Sequence, residues 1–110
     1  MQTIKIKPLS VNEAWQGRRF KTDKYKKYER MAMLSIINEP MPKYPYKVKL
    51  VFGISKSSDI DNPIKPFLDI LQKKFAFNDK HITALDVGKR IVKKGNEFIS
   101  FSITRDEETH

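Results

Sequence analysis

The sequence predicts an α+β domain: a mixed, mostly antiparallel β-sheet with two helices packed on it. Two observations lead there. Stretches that alternate apolar and polar residues flank two amphipathic stripes of helical spacing, in the order β-α-β-α-β-β. The length, 110 residues, supports one modest core and is too short for two. With no repeat, low-complexity run or linker, residues 1–110 read as a single domain.

Each element has a local cause. "TIKIK" (3–7) alternates apolar and charged residues and reads as a strand that stops at Pro8. "LSVNEAWQGRRFKT" (9–22) has no period, contains Gly17 and the basic trio Arg18, Arg19 and Lys21, and reads as a long loop. A helix follows over 23–39, capped by Thr22 or Asp23. Tyr25, Tyr28, Ala32, Ile36 and Glu39 fall three or four apart, Met31, Leu34 and Ile37 widen the stripe, and the prolines of "EPMPKYP" end it. "YKVKLVFGI" (46–54) sets Tyr46, Val48, Leu50, Phe52 and Ile54 on one face of a strand.

The second helix is expected over 62–75, with Asn62 as cap and Pro63 at the first helical position. Ile64, Phe67, Leu68, Leu71 and Phe75 form its apolar stripe. Asp61, Lys65, Asp69 and Gln72 share the neighbouring face. "AFNDKH" (76–81) is a turn, and "HITALDVGKRIVKK" (81–94) with "EFISFSIT" (97–104) reads as a closing hairpin joined at "KGN". The polar tail, 105–110, is predicted to fray.

Composition narrows the function. Twenty-two Lys and Arg against 13 Asp and Glu leave a net charge of +9, which favours polyanionic partners, nucleic acid first and anionic membrane second. The absence of cysteine excludes disulfides, thiolate zinc sites and cysteine nucleophiles. No apolar run is long enough to span a membrane, and "MQTIKIKP" lacks a signal-peptide core, so the expected location is cytoplasmic. There is no Gly-rich phosphate loop, no Ser-His-Asp pattern and no dinucleotide fingerprint, and His81 and His110 have no partner motif.

Against this basic background, "SSDIDNPIKPFLDI" (57–70) gathers carboxylates where an apolar strand meets a helix. If the strand runs on through them, Asp59 and Asp61 point to the same side. Carboxylate oxygens suit Mg²⁺ or Mn²⁺, and Lys65, one turn beyond Asp61, is placed to meet a phosphate or a developing negative charge. The competing reading is structural, since acids beside a helix start favour its dipole and an i,i+4 Asp-Lys pair supports the helix. Asp79 lies past a helix of roughly 20 Å. It returns to the other acids only if the strand starting near His81 pairs beside the strand end at Ile54. Arg18, Arg19, Lys21, Lys73, Lys74, Lys80, Lys89 and Arg90 are candidate phosphate contacts, although each alone reads as a solvated charge. Trp15 and Phe20 flank the basic loop. Anchoring the loop to the core is the favoured reading for Trp15, and stacking on unpaired bases is the other.

The stretch Asp59–Asp79 resembles the RusA-like Holliday-junction resolvases, a family frequent in phages and prophages. The likeness rests on "DIDNPIKPFLDIL", on "FNDKHI" with Asp79 at the family's third acidic position, and more loosely on the loop "PLSVNEAWQGRRFKT". It implies that Asp59, Asp61 and Asp79 are catalytic, metal-binding acids and that Lys65 is the catalytic lysine. Asp69 falls where the family often has an acid, in a supporting position. It also implies a homodimer that makes paired nicks in four-way DNA junctions with Mg²⁺ or Mn²⁺, in recombination, repair or phage DNA processing. No organic cofactor and no membrane partner is expected. Two rivals accompany this expectation: a junction-binding protein without catalysis, and a partner-binding adaptor whose charge serves solubility.

Overall fold

The computed structural model describes residues 1–16 and 20–107. Arg18 and Arg19, two of the predicted phosphate contacts, lie outside the described residues, as does the end of the tail. The chain begins with β1 (Gln2–Ile4). The segment expected to be loop then folds into a short helix, α1 (Val11–Ala14), and a two-strand hairpin, β2 (Trp15–Gln16) with β3 (Phe20–Lys21). After it come α2 (Asp23–Ser35), β4 (Tyr46–Ile54), α3 (Ile64–Phe75), β5 (Ile82–Ile91) and β6 (Phe98–Arg105). The architecture is α+β, with a mixed four-stranded sheet covered on one face by helices. Among the described residues no helix is long and apolar enough to cross a membrane.

Spatial order in the sheet is β1-β6-β4-β5. β4 pairs antiparallel with β6 and parallel with β5, and β6 pairs antiparallel with β1. The predicted β5–β6 hairpin is therefore not formed. A helix between two strands makes a crossover, and a crossover delivers the second strand parallel to the first. Once α3 has returned the chain beside the start of β4, β5 occupies one edge of that strand and β6 must take the other. Val92 N–H donates to the Ile54 carbonyl (2.9 Å) as the chain leaves β5 to pass the end of β4.

Alternation along β4 works as the sequence predicts: Val48, Leu50 and Phe52 are fully buried and face the helices, whereas Lys47 and Lys49 are exposed on the opposite face. Ile99 and Phe101 of β6 and Ile4 of β1 extend the same apolar face. α3 lays Phe67, Ile70 and Leu71 on it, with Phe67 edge-on to Phe52 (ring centroids 6.3 Å) and tilted against Phe101 (5.7 Å).

α2 is capped by Thr22, whose Oγ1 accepts from Tyr25 N–H (3.2 Å). It ends at Ser35, earlier than the stripe to residue 39 suggests. Tyr25, Tyr28 and Ala32 are buried, but Met31, Leu34 and Ile37 are exposed, so the stripe is narrower than its apolar content implies. β6 continues through Arg105, and buried Asp106 accepts from Thr83 Oγ1 (2.7 Å), while its N–H donates to the Pro45 carbonyl. The chain thus stays anchored past the point where fraying is predicted.

Gly53 of β4 lies under the ring of Phe98 on β6, which occupies the space a Cβ would take. Gly53→Ala is expected to cost about 1–3 kcal/mol through overpacking, read as a lower urea midpoint. In a Phe98→Ala background the same substitution should cost little, and an equal cost there would show that the ring is not the obstacle.

Candidate acidic turn and nucleic-acid interface

β4 ends at Ile54, so the strand does not run on through the acids. Residues 59–64 form consecutive turns instead, with Asn62 N–H donating to the Asp59 carbonyl (3.2 Å) and Ile64 N–H to the Asp61 carbonyl (3.2 Å). The helix start is displaced as well: α3 begins at Ile64, Pro63 is the cap residue, and no side chain caps it. The structural role available to these acids, satisfying the orphan amides of α3, is therefore not used. Asp59 and Asp61 are exposed, and among the described residues neither carboxylate has a hydrogen bond or an ion pair.

Two tethers fix this turn. Val11 N–H of α1 donates to the Asn62 carbonyl (2.8 Å), joining the N-terminal segment to the acids. From the other side, Lys89 of β5 donates from Nζ to the Ser58 carbonyl (2.8 Å). Between the N-terminal segment and the turn lies a pocket of about 180 Å³. Lys7, Ser10, Ser55, Lys56, Ser58 and Asn62 are among its walls. Lys7, Lys56 and these hydroxyls are not among the residues that the sequence singles out, although the run "SKSS" directly before "DIDN" is a signal that could find them.

The face of α3 beyond the turn is a charge network. Lys65 and Asp69 are one helical turn apart, and Asp69 is half-buried on the side of α3 that senses Glu29 and Lys21. Burial pushes the Asp69 carboxyl above its ordinary value, with the Asp79 and Glu29 charges adding to the rise and Lys65 and Lys21 opposing it. On α2, burial acts on Glu29 in the same sense. There, however, the Lys73 hydrogen bond (Nζ–Oε1 2.8 Å) and the Lys21 charge (3.5 Å) prevail and hold the carboxyl below its ordinary value. Lys21 Nζ also stands 4.8 Å from the centre of the Tyr25 ring, on which Trp15 stacks (6.0 Å). Burial, then Glu29 and Asp69, raise the Tyr25 hydroxyl. Trp15 is held against the core, as the favoured reading has it, although its Nε1–H is buried without an acceptor among the described residues. Phe20 is exposed on the hairpin.

The predicted site residues thus fall into two groups. Asp59 and Asp61 share the turn with the start of α3, next to Lys65. Asp79 sits past the far end of α3, where its N–H donates to Gln72 Oε1 (2.9 Å). It leads into β5 beside Tyr46, at the start of β4, and not beside Ile54 as its return to the other acids requires. Its electrostatic neighbour is Asp69. Among the described residues no three His, Asp or Glu side chains are grouped so as to hold an ion. Of the predicted phosphate contacts, Lys21 and Lys73 pair with Glu29 and Lys74 donates to the Met33 carbonyl, while Lys80 is exposed. The lysines of these pairs are 38% and 59% exposed, whereas their shared partner Glu29 is largely covered.

The signs of the two shifts differ, and so do their consequences. Glu29, held low, contributes stability above the unfolded carboxylate range that is lost as pH falls through its folded value. Asp69, held high, binds its proton more tightly when folded, so its ionisation costs stability as pH rises through that range. Asp69→Asn should therefore gain stability relative to the parent as pH rises through and above the ordinary carboxylate range. A carbon-detected carboxyl titration should show the Asp69 midpoint rising in Lys65→Met and falling in Asp79→Asn; a midpoint unmoved by Asp79→Asn would separate the two acids. Neither a protein-family model nor a curated protein sequence matches the chain.

Proposed function

We propose that this protein is a Mg²⁺- or Mn²⁺-dependent endonuclease that nicks four-way or otherwise branched DNA, acting as a homodimer. One observation carries the reading: among the described residues, the turn that carries Asp59 and Asp61 uses neither carboxylate for capping or pairing, in a chain of net charge +9. Exposed carboxylates that cap and pair with nothing among the described residues stand open to a divalent cation. Mg²⁺ is commonly held by one or two carboxylates, with water and substrate phosphate completing its shell, so two acids on one turn fit the ion without an all-protein cage.

Held there, the ion would supply charge neutralisation at a phosphate and an acidified water. The chain's own residues would do the rest. Lys7, Lys56 and Ser58 line a pocket beside the turn whose wall also carries Glu13, with Ser55 Oγ donating to Glu97 (2.7 Å); its two lysines would draw a phosphate toward the turn. Lys65, exposed on the first turn of α3, would meet the negative charge that builds on the phosphoryl oxygens. Water oxygen bonds to phosphorus, the bond from phosphorus to the leaving sugar oxygen breaks, and that oxygen takes up a proton. Trp15, Lys21 and the β2–β3 hairpin, tied to the turn through α1, would guide a DNA arm. Asp69, one turn beyond Lys65, would act through that lysine, and Asp79, past the far end of α3, on the bound DNA.

The test compares an immobile four-way junction with a matched linear duplex, each with Mg²⁺ or EDTA. The parent is expected to leave paired nicks in the junction alone, lost in EDTA. Asp61→Asn and Lys65→Met should each lower the rate about 10²- to 10³-fold, the usual loss when one charge-stabilising group is removed, with binding retained. Binding that falls steeply with salt but yields no nicks would make the chain a junction-binding protein without catalysis. Binding insensitive to salt would remove nucleic acid as the partner.

A further inference from the structure

The two edges of the sheet are unlike. β1 is three residues long, whereas β5 presents ten residues whose outer side no strand covers among the described residues. A long edge without a partner is an open template for strand pairing. Its side chains are also unusual: Leu85 (45% exposed) and Ile91 (68%) stand on the helix face, and Asp86 and Arg90 are exposed on the opposite face. The Arg90 guanidinium folds back over Gly88 and donates to the outward Lys89 carbonyl (3.1 Å), a contact that the pairing below exchanges for the partner's Asp86.

We infer that the occupant of this edge is a second copy of the same chain, its β5 paired antiparallel about a two-fold axis at Gly88. The register follows from hydrogen-bond direction and charge. Val92 N–H points to β4, so even-numbered residues of β5 turn their amides inward and odd-numbered ones outward. A two-fold pairing must then centre on a single residue, because a half-step would oppose outward and inward amides. Centring on Asp86, Lys89 or Arg90 sets like charges face to face, and centring on Val87 leaves Asp86 opposite Gly88. Only the Gly88 axis sets Asp86 opposite the partner's Arg90, twice per interface. It also sets Leu85 against the partner's Ile91, covering both exposed apolar side chains. Outward amides fall on the pairs Leu85–Ile91 and Val87–Lys89, which exchange hydrogen bonds. Gly88 falls at a closely spaced pair that bears no hydrogen bonds, where the lack of a side chain eases the approach.

This deepens the proposed function and rests on it in one respect, that resolving a junction needs two symmetric cuts. Lys89, one residue from the axis, holds the Ser58 carbonyl at the edge of the acidic turn. The pairing therefore draws both turns toward one axis, on the helix side of the continuous sheet that results.

Sedimentation of the full chain tests it. The parent is expected to dimerise, and Asp86→Arg and Arg90→Asp should each weaken dimerisation about a hundredfold by opposing like charges. Mixing the two variants should restore a dimer, because one chain then carries positive charge at both positions and the other negative charge at both. The chain has no cysteine, so Gly88→Cys should cross-link to itself on mild oxidation while Thr104→Cys, on β6, does not. A monomeric parent, a dimer indifferent to both reversals, or Gly88→Cys that stays uncross-linked would overturn the interface. The two readings fail separately: a dimer that ignores the reversals yet nicks junctions leaves the function standing, and a charge-dependent dimer that never nicks leaves the interface standing.

Discussion

Everything in this molecule is referred to β4. Its inward residues, Val48, Leu50 and Phe52, are fully buried, and both of its edges are paired, so it has no freedom to shift. A slip of one residue would turn Lys47 and Lys49 into the core and the apolar set into water, a cost of several side-chain burials. Phe52 then seats Phe67, which fixes α3 over the sheet. The acidic turn is the link between that strand end and that helix start. It has little regular structure of its own, yet it hangs between two rigidly placed elements and is tied on either side by Val11 and Lys89.

Electrostatics in this basic chain are organised by a few acids. Glu29 gathers Lys21 and Lys73 and thereby links the β2–β3 hairpin, α2 and α3 through one carboxylate. Asp69 lies behind them, half-buried and short of compensating charge, so Lys21, which helps to lower Glu29, only partly offsets the burial of Asp69. A partly buried acid among lysines is a natural place for coupling between the N-terminal hairpin and the helix that carries Lys65. Asp59 and Asp61 are the opposite case. They are exposed, without a side-chain hydrogen bond or ion pair among the described residues, and lie beside Ser58 and Lys65.

Legibility in the sequence follows periodicity. The period-2 pattern of 46–54 and the helical stripe of 64–75 each have a large apolar set whose burial outweighs any local alternative, and both elements form. Ile70, outside the predicted stripe, is buried beside it. The segment 9–22 has no such period because its order comes from single bonds: Ser10 capping α1, Thr22 Oγ1 donating to the Glu13 carbonyl (2.6 Å), and Trp15 on Tyr25. The β5–β6 hairpin expected from the sequence fails for a related reason. A short polar turn between two strands looks the same whether they pair with each other or with a third strand between them.

For the site, the sequence by itself determined the chemistry on offer: paired aspartates, a lysine one turn later, and a cationic surround, all written in residue type and spacing. Tertiary structure decided which of these meet. It tied the N-terminal segment to the acidic turn, through a backbone bond that no side-chain pattern encodes. It set Asp79 at the opposite end of α3, because a parallel crossover starts β5 beside the start of β4 and not beside its end. And it left β5 at an edge with no strand on its outer side among the described residues, since pairing partners are decided by long-range burial rather than by any local run of residues.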